Sequence, residues 1–427
     1  MTTRSLNAAR TDSAWAPLRC RAFRALWLAM SAANAGTAMQ VIGAQWLISG
    51  GSGRHPVADI LVTLVQAAGM LPVLLLGLPA GVLADLVDRR RLLIGVQLAT
   101  ALVGLVLAGL ALDDRMASTT LIALQCALGI GAAFTMPAFG SLTPELVPQQ
   151  HLPQASALGA VSANVVRAVG PAIAGFVIAR AGASAVFALH AVTVLTFVGV
   201  LAAWRPSGVG APRCTEPFGA AMRTGWRYVR GAPVVRRILG QAMLFLLPGS
   251  ALLALLPVLA GSRLGLGVSG YGMLLGALGA GAVAGALLQP RLRAVAARDR
   301  MTAAAGVFLA AIVVIAVDRD PFSAGVVLVA AGAAWVIALA CTNAAIDSYL
   351  PDWVRARGLA FYQVVLFGGQ GLGAIGWGCC AHRFGLQVTL LLAAACLGAG
   401  VLAGRGWPLH EHRVEHTPEL APEPALV

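Results

Sequence analysis

Lysine is absent: all 30 basic residues are arginine, which we read first as genomic base composition and only second as function. Charge of either sign is scarce, at 11% of 427 residues, where a soluble domain carries about 25%. Such a chain is not built to be dissolved in water. Aromatics are few as well, at 6%, and do not interleave with the arginines. The net charge of +13 therefore forms no nucleic-acid patch, and no nucleic-acid partner is expected. There is no P-loop, which argues against ATP as an energy source. No nucleophile–base pair stands out, so an enzyme has no support. The seven cysteines lack zinc spacing, and no pair falls in the predicted outside loops. Neither a disulfide nor a metal is expected, and no cofactor is implied.

What is present is apolar sequence, 59% of the chain. It falls into runs of about 20 residues, the length that crosses a ~30 Å hydrocarbon core as helix. The runs predict helices at about 23–49, 59–83, 92–112, 119–139, 155–179, 184–204, 238–261, 270–290, 302–317, 323–346, 359–380 and 385–404. Arg19, Arg21 and Arg24 precede the first run, which predicts a retained anchor rather than a cleaved leader. With both termini inside, the inner segments hold twenty-three arginines and the outer segments six; Arg167 is left within a span. That asymmetry predicts an even number of spans with cytoplasmic ends.

The longest inner segment, 205–237, carries seven arginines and several prolines and glycines. It divides the spans six and six. The expected organisation is a cytoplasmic tail (1–22), a six-helix bundle (23–204), the linker (205–237), a second bundle (238–405) and a disordered tail (406–427). Part of the linker, Phe218 to Val229, could form an amphipathic helix on the inner leaflet. Pro137 to Pro148 and Cys341 to Pro351 correspond across the halves: each has one acid, Glu145 or Asp347, shortly before a proline. Duplicated transporters carry such internal repeats.

The stretch Gly81 to Arg91, GVLADLVDRRR, is expected to be a cytoplasmic turn of about seven residues, from Ala84 to Leu92. Gly81, Asp85, Arg89 and Arg90 match Gly-x-x-x-Asp-Arg-x-Gly-Arg-Arg, the loop signature of the major facilitator superfamily; Leu86 and Asp88 depart from it. Pro137, Ala138, Pro144, Glu145, Val147, Pro148, Leu152, Ala155, Leu158, Asn164, Arg167, Gly170, Pro171 and Gly175 resemble the branch of enterobactin exporters and macrolide or drug efflux proteins. Leu350 to Arg355 and Gly369 to Gly378 do so too. The resemblance implies an all-α integral membrane fold: twelve transmembrane helices in two pseudo-symmetric six-helix bundles around a central cavity. It also implies alternating access, with an amphipathic small molecule exported across a bacterial inner membrane. With no P-loop, an ion gradient is the default energy source, with protons the expected coupling ion, and a monomer is expected. An importer, or a non-transporting receptor or scaffold of the same fold, is the alternative.

Gly170-Pro171-x-x-Ala174-Gly175 resembles the antiporter signature Gly-Pro-x-x-Gly-Gly, although Val166 stands where the longer form has glycine. Gating is assigned to Gly81, Asp85, Arg89, Arg90, Glu145, Gly170, Pro171, Gly175, Asp347 and Arg355. Asp85 is expected to hold the inner side shut by meeting a helix end or an arginine. Arg167 lies ~18 Å along its helix, where an unpartnered charge costs a few kcal/mol or more. It either binds an anionic group of the cargo or ties its helix to a neighbour. Asn34, Gln40, Asn164, Gln241 and Gln363 join it as cavity candidates, with Gln45 and Gln66 in the same polar line. No acid lies mid-membrane. His190 is read as a packing residue rather than a proton relay.

Overall fold

In a computed structural model, the structure describes residues 15–49, 58–113, 116–205, 227–292, 294–350 and 355–405. After a short 3-10 turn, α1 spans Arg21–Ser49, α2 Ala58–Leu86, α3 Arg89–Leu110 and α4 Ser118–Leu146. The stretch Leu152–Ala203 is broken at Gly182 into α5 (152–181) and α6 (183–203). Gly182 has φ 78°, a conformation that side chains with a Cβ rarely adopt. Then come α7 (Pro233–Val258), continued by a wide π turn Leu259–Arg263, α8 (Val268–Leu292), α9 (Ala297–Val317), α10 (Pro321–Tyr349), α11 (Arg355–Phe384) and α12 (Leu386–Arg405). Gly385, with φ 81°, makes the break between α11 and α12 as Gly182 does six helices earlier.

Among the described residues, ten stretches are long and apolar enough to cross a bilayer. α5 and α6 share one of them, Ile173–Ala203, and α1 is not among them. Asn34, Thr37, Gln40 and Gln45 dilute the apolar run of α1. Gln40 and Gln45 are buried against protein, where lipid does not decide their cost.

Several boundaries differ from expectation. The Asp85 turn shrinks to Val87 and Asp88, because Asp88 caps α3 by accepting a hydrogen bond from the backbone N–H of Arg91 at 2.9 Å. Arg89, Arg90 and Arg91 therefore form the first turn of α3 rather than a loop. α9 begins about five residues early and includes Arg298 and Arg300. α4 runs through Pro137 to Leu146, so the 140–154 segment is mostly helix. Of the proposed linker helix, Phe218 to Val229, residues 227–229 are described and helical, within a turn that runs on to residue 231, and the Tyr228 hydroxyl donates to Tyr349 O at the end of α10. Residues 206–226 and the 406–427 tail lie outside the described residues.

Helices α1 to α6 pack into one bundle and α7 to α12 into a second. In lipid no hydrophobic force separates helix from solvent, so close packing of small residues carries the association. α2 crosses α4 at such a site: a methyl at Gly129 would lie 2.7 Å from Gly69 O. The equivalent crossing of α8 and α10 sets Gly281 against Val329 O and Gly332 against Leu278 O. Away from these crossings, the second bundle fills its core with Phe245, Phe308 and Trp335, whose ring centroids are 5.4–5.6 Å apart.

Candidate functional site

The bundles meet along two seams, α2 on α11 and α5 on α8. Gly175 is about 9 Å from the end of α5, and a methyl there would lie 2.9 Å from Gly272 Cα and 3.2 Å from Val268 O. Gly378 of α11 abuts Thr63 of α2, and Gly371 and Gly368 follow against Leu71 and Leu74. One hydrogen-bonded chain crosses the seam. The Tyr271 hydroxyl of α8 donates to Gln45 Oε1 of α1 at 2.7 Å, and Gln45 Nε2 donates to Gln66 Oε1 of α2 at 3.3 Å. Tyr271 is 1% exposed, so its hydroxyl depends on that partner.

These contacts belong to the half of the molecule away from the chain termini. There the apolar clusters are shared: Ala67, Ala254 and Ala374 form one, and Val258 joins Ile48, Val62 and Phe187 in another. At the terminal end, a cluster around Phe23, Leu93, Leu142 and Phe197 contains first-bundle residues only. The bundles are thus joined at one end, with separate cores at the other.

The terminal end of the first bundle is tied internally. Arg89 Nη1 lies 2.9 Å from Glu145 Oε1, linking α3 to the end of α4. Arg90 donates to Leu201 O and Ala202 O at the end of α6, where the helix dipole favours a cation. All three contacts stay within one bundle. Neutralising the ion pair is therefore expected to cost only ~0.2–1 kcal/mol, the range for partly exposed pairs. In a thermal-unfolding double-mutant cycle, Arg89→Gln and Glu145→Gln should show a coupling of that size. A loss of several kcal/mol from either single change would mean that the pair holds more than a helix end.

A cavity of about 110 Å³, walled mainly by apolar side chains with a few polar groups among them, lies within the first bundle. It is lined by Asn34 and Thr37 of α1, Gln97 and Thr100 of α3, Thr135 of α4 and His190 of α6. Gln97 Nε2 donates to Thr135 Oγ1 at 3.1 Å. His190 is 1% exposed, and neither ring nitrogen has a partner among the described residues.

The expected site residues are scattered over these features. Gly175 is at the seam, whereas Gly170 packs inside the first bundle, where a methyl would lie 3.2 Å from the Ala38 side chain. Gly81 faces Pro137 of α4. Asn34 is exposed at the cavity. Gln40 is fully buried and donates to Gln125 Oε1 at 2.7 Å, so it ties α1 to α4 rather than lining an open space. Gln241 is buried beside α12, with its amide 3.5 Å from Gly404 O, in a recess shared by α7, α9 and α12. Gln363 is exposed on α11. The side chains of Asp85, Asn164, Arg167, Pro171, Asp347 and Arg355 lie outside the described ones. Tyr271 and Gln125 were missed in sequence: a lone Tyr or Gln in an apolar run gives no signal of its partner.

The sequence profile of a family described as transmembrane secretion effectors, a branch of the major facilitator group, matches residues 12–426. Macrolide efflux protein A of Streptococcus pyogenes is 27% identical over 144 residues, 34% of each chain. The multidrug efflux pump Tap of Mycolicibacterium fortuitum is 28% identical over 214 residues, 48% of this chain and 51% of that one. The chain thus spans about a third to a half of the length of these relatives. Among solved structures, a bacterial homologue of the human lysosomal transporter Spinster, inward-facing and unoccupied, aligns with TM-score 0.70 at 16% identity, over 91% of this chain and 97% of that one. An autoinhibited peptide transporter of the POT family aligns with TM-score 0.73 at 14% identity, over 90% and 96%. At such identities these likenesses establish the fold alone.

Proposed function

The chain belongs to the transmembrane secretion effector family of the major facilitator superfamily, and on that premise we propose that it is a secondary active exporter of small amphipathic molecules of the macrolide or drug type. It is a multi-pass membrane transporter and not an enzyme. The observation that carries the mechanism is the one-sided joining of the bundles. Helices packed through glycines at one end only can rock about the cargo, opening each end in turn. The arginine asymmetry supports cytoplasmic termini in a bacterial inner membrane. On that orientation, the joined end is periplasmic and this state opens inward, ready to load cargo from the cytoplasm or the inner leaflet. Protons are the proposed coupling ion, and a monomer suffices, since each chain contains both bundles. Arg167, at mid-bilayer depth on α5, is the proposed cargo-facing or helix-tying cation.

The test is erythromycin uptake into inverted vesicles whose interior is acidified by respiration. Vesicles with the protein should accumulate the macrolide several-fold over empty ones, and nigericin with valinomycin should abolish the gain. Equal accumulation in both kinds of vesicle would overturn macrolide export. Accumulation that survives collapse of the gradients would overturn proton coupling.

A further inference from the structure

We propose that His190 is the protonation site through which this transporter senses pH and changes between its two open states. This rests on the proton-driven reading above and names the residue that carries it.

The argument begins with unmet hydrogen bonding. His190 is enclosed by the first bundle, with Gly36 of α1 and Gly104 of α3 making room for it. A methyl at Gly104 would come 3.0 Å from the ring, and one at Gly36 would meet the His190 backbone at the same distance. Yet both ring nitrogens are without a partner among the described residues. A buried donor or acceptor left unmet is costly, so a close-packed bundle retains such a ring when something else satisfies it.

The cavity walls indicate what that is. Thr37, Thr100 and Thr135 turn their hydroxyl protons back onto Ala33 O, Val96 O and Gly131 O of their own helices. Gln97 directs its amide N–H to Thr135. These groups consequently offer mainly acceptor oxygens to the space beside His190. An acceptor-lined cavity suits a donor, and an imidazolium donates from both nitrogens. At about 110 Å³, the space holds several waters, at roughly 10–15 Å³ each on this measure. Drug-sized sites are ~300 Å³ or more, so water and a proton fit where cargo does not.

Among the described residues, no charged side chain lines the cavity. On the helices packed around it, Arg21 and Arg24 of α1, Arg89, Arg90 and Arg91 of α3, and Glu145 of α4 all lie in the first or last turns. Cys126 of α4 is not in the lining, and the Arg167 side chain of α5 is outside the described ones. With acceptors and no counter-charge among the described residues, the proton is held by hydrogen bonds and is not locked in an ion pair. It reaches the ring through cavity water in one open state and leaves to the opposite compartment in the other; no bond other than N–H forms or breaks.

The reporter is a spin-label pair, Ala179→Cys on α5 and Ser269→Cys on α8, in a cysteine-free chain in nanodiscs. Both positions are exposed at the joined end. Lowering the pH from 8 to 5.5 should raise the closed-to-open ratio of that end about tenfold, the effect of one proton whose pKa differs by one unit between states. His190→Gln should flatten the response. A second measurement does not depend on that variant. With the other six histidines replaced by glutamine, ring-nitrogen NMR should show His190 titrating within the same range. The proposal fails if the wild type shows no pH response, if His190→Gln keeps it, or if the ring signal stays neutral to pH 5.5. Neither readout uses cargo, so loss of macrolide export with an intact pH response would sink the exporter reading alone.

Discussion

Gly175→Val is expected to abolish the proposed macrolide export while the chain still inserts and folds, the largest effect of any single substitution here. The physical reason is distance. A single methyl at Gly175 would already sit 2.9 Å from Gly272 Cα, backbone against backbone, with no flexible side chain to move aside. Valine adds two further carbons, so α5 and α8 must separate. Overpacking of this kind costs ~1–3 kcal/mol, or about ten- to hundredfold in the ratio of joined to parted bundles. The crossing adjoins Ala174, Ile178, Tyr271 and Leu274, which share one apolar cluster with the second bundle, while the Phe23–Phe197 cluster of the first is not touched, so the melting temperature should fall only modestly. The Ala179/Ser269 spin-label pair should report longer distances, with Gly175→Ala intermediate. Wild-type distances in Gly175→Val would mean that this crossing is not the closing contact.

The second large effect is on the polar chain Gln66–Gln45–Tyr271. Tyr271→Phe removes one hydroxyl and strands Gln45 Oε1; Gln45→Leu strands both the Tyr271 hydroxyl and Gln66 Oε1. A buried group left without its partner costs ~1–3 kcal/mol. Opening the joined end exposes these groups to water, which removes the penalty from the parted state. Each single change should thus shift the spin-label population toward parted bundles by about tenfold or more. The double variant should be less affected than the sum of the two, because the Tyr271–Gln45 pair is lost only once. Additive single effects would show that the hydrogen bond does not couple the bundles.

How much of this was legible beforehand differs by feature. The spans were legible because a lipid solvent demands ~20 apolar residues at a time, and charge collects where they end. Gly182 fell at an expected break for the same reason, whereas Gly385, expected to open the twelfth helix, instead makes the break before it. The turn at Asp85 was misjudged because three arginines read as loop. A single capping carboxylate on Asp88 instead drew them into α3. Gly175 was legible as an interface glycine from its small-residue spacing, but Gly170, in the same motif, packs inside a bundle. Spacing identifies a helix face and does not say which neighbour covers it.

The sequence by itself determined that this chain lives in a membrane, that it is built as two sets of six helices, and the family it belongs to. Those properties follow from composition and from runs of local sequence, which lipid reads one helix at a time. It took the tertiary structure to show that Tyr271 meets Gln45 across 226 positions, that Gln40 is bonded to Gln125, and that His190 lines a cavity with no ring partner among the described residues. Each of these depends on how one helix is rotated against another. Within an apolar helix that rotation is set by the sum of many small packing contacts, and no single residue in the sequence announces it.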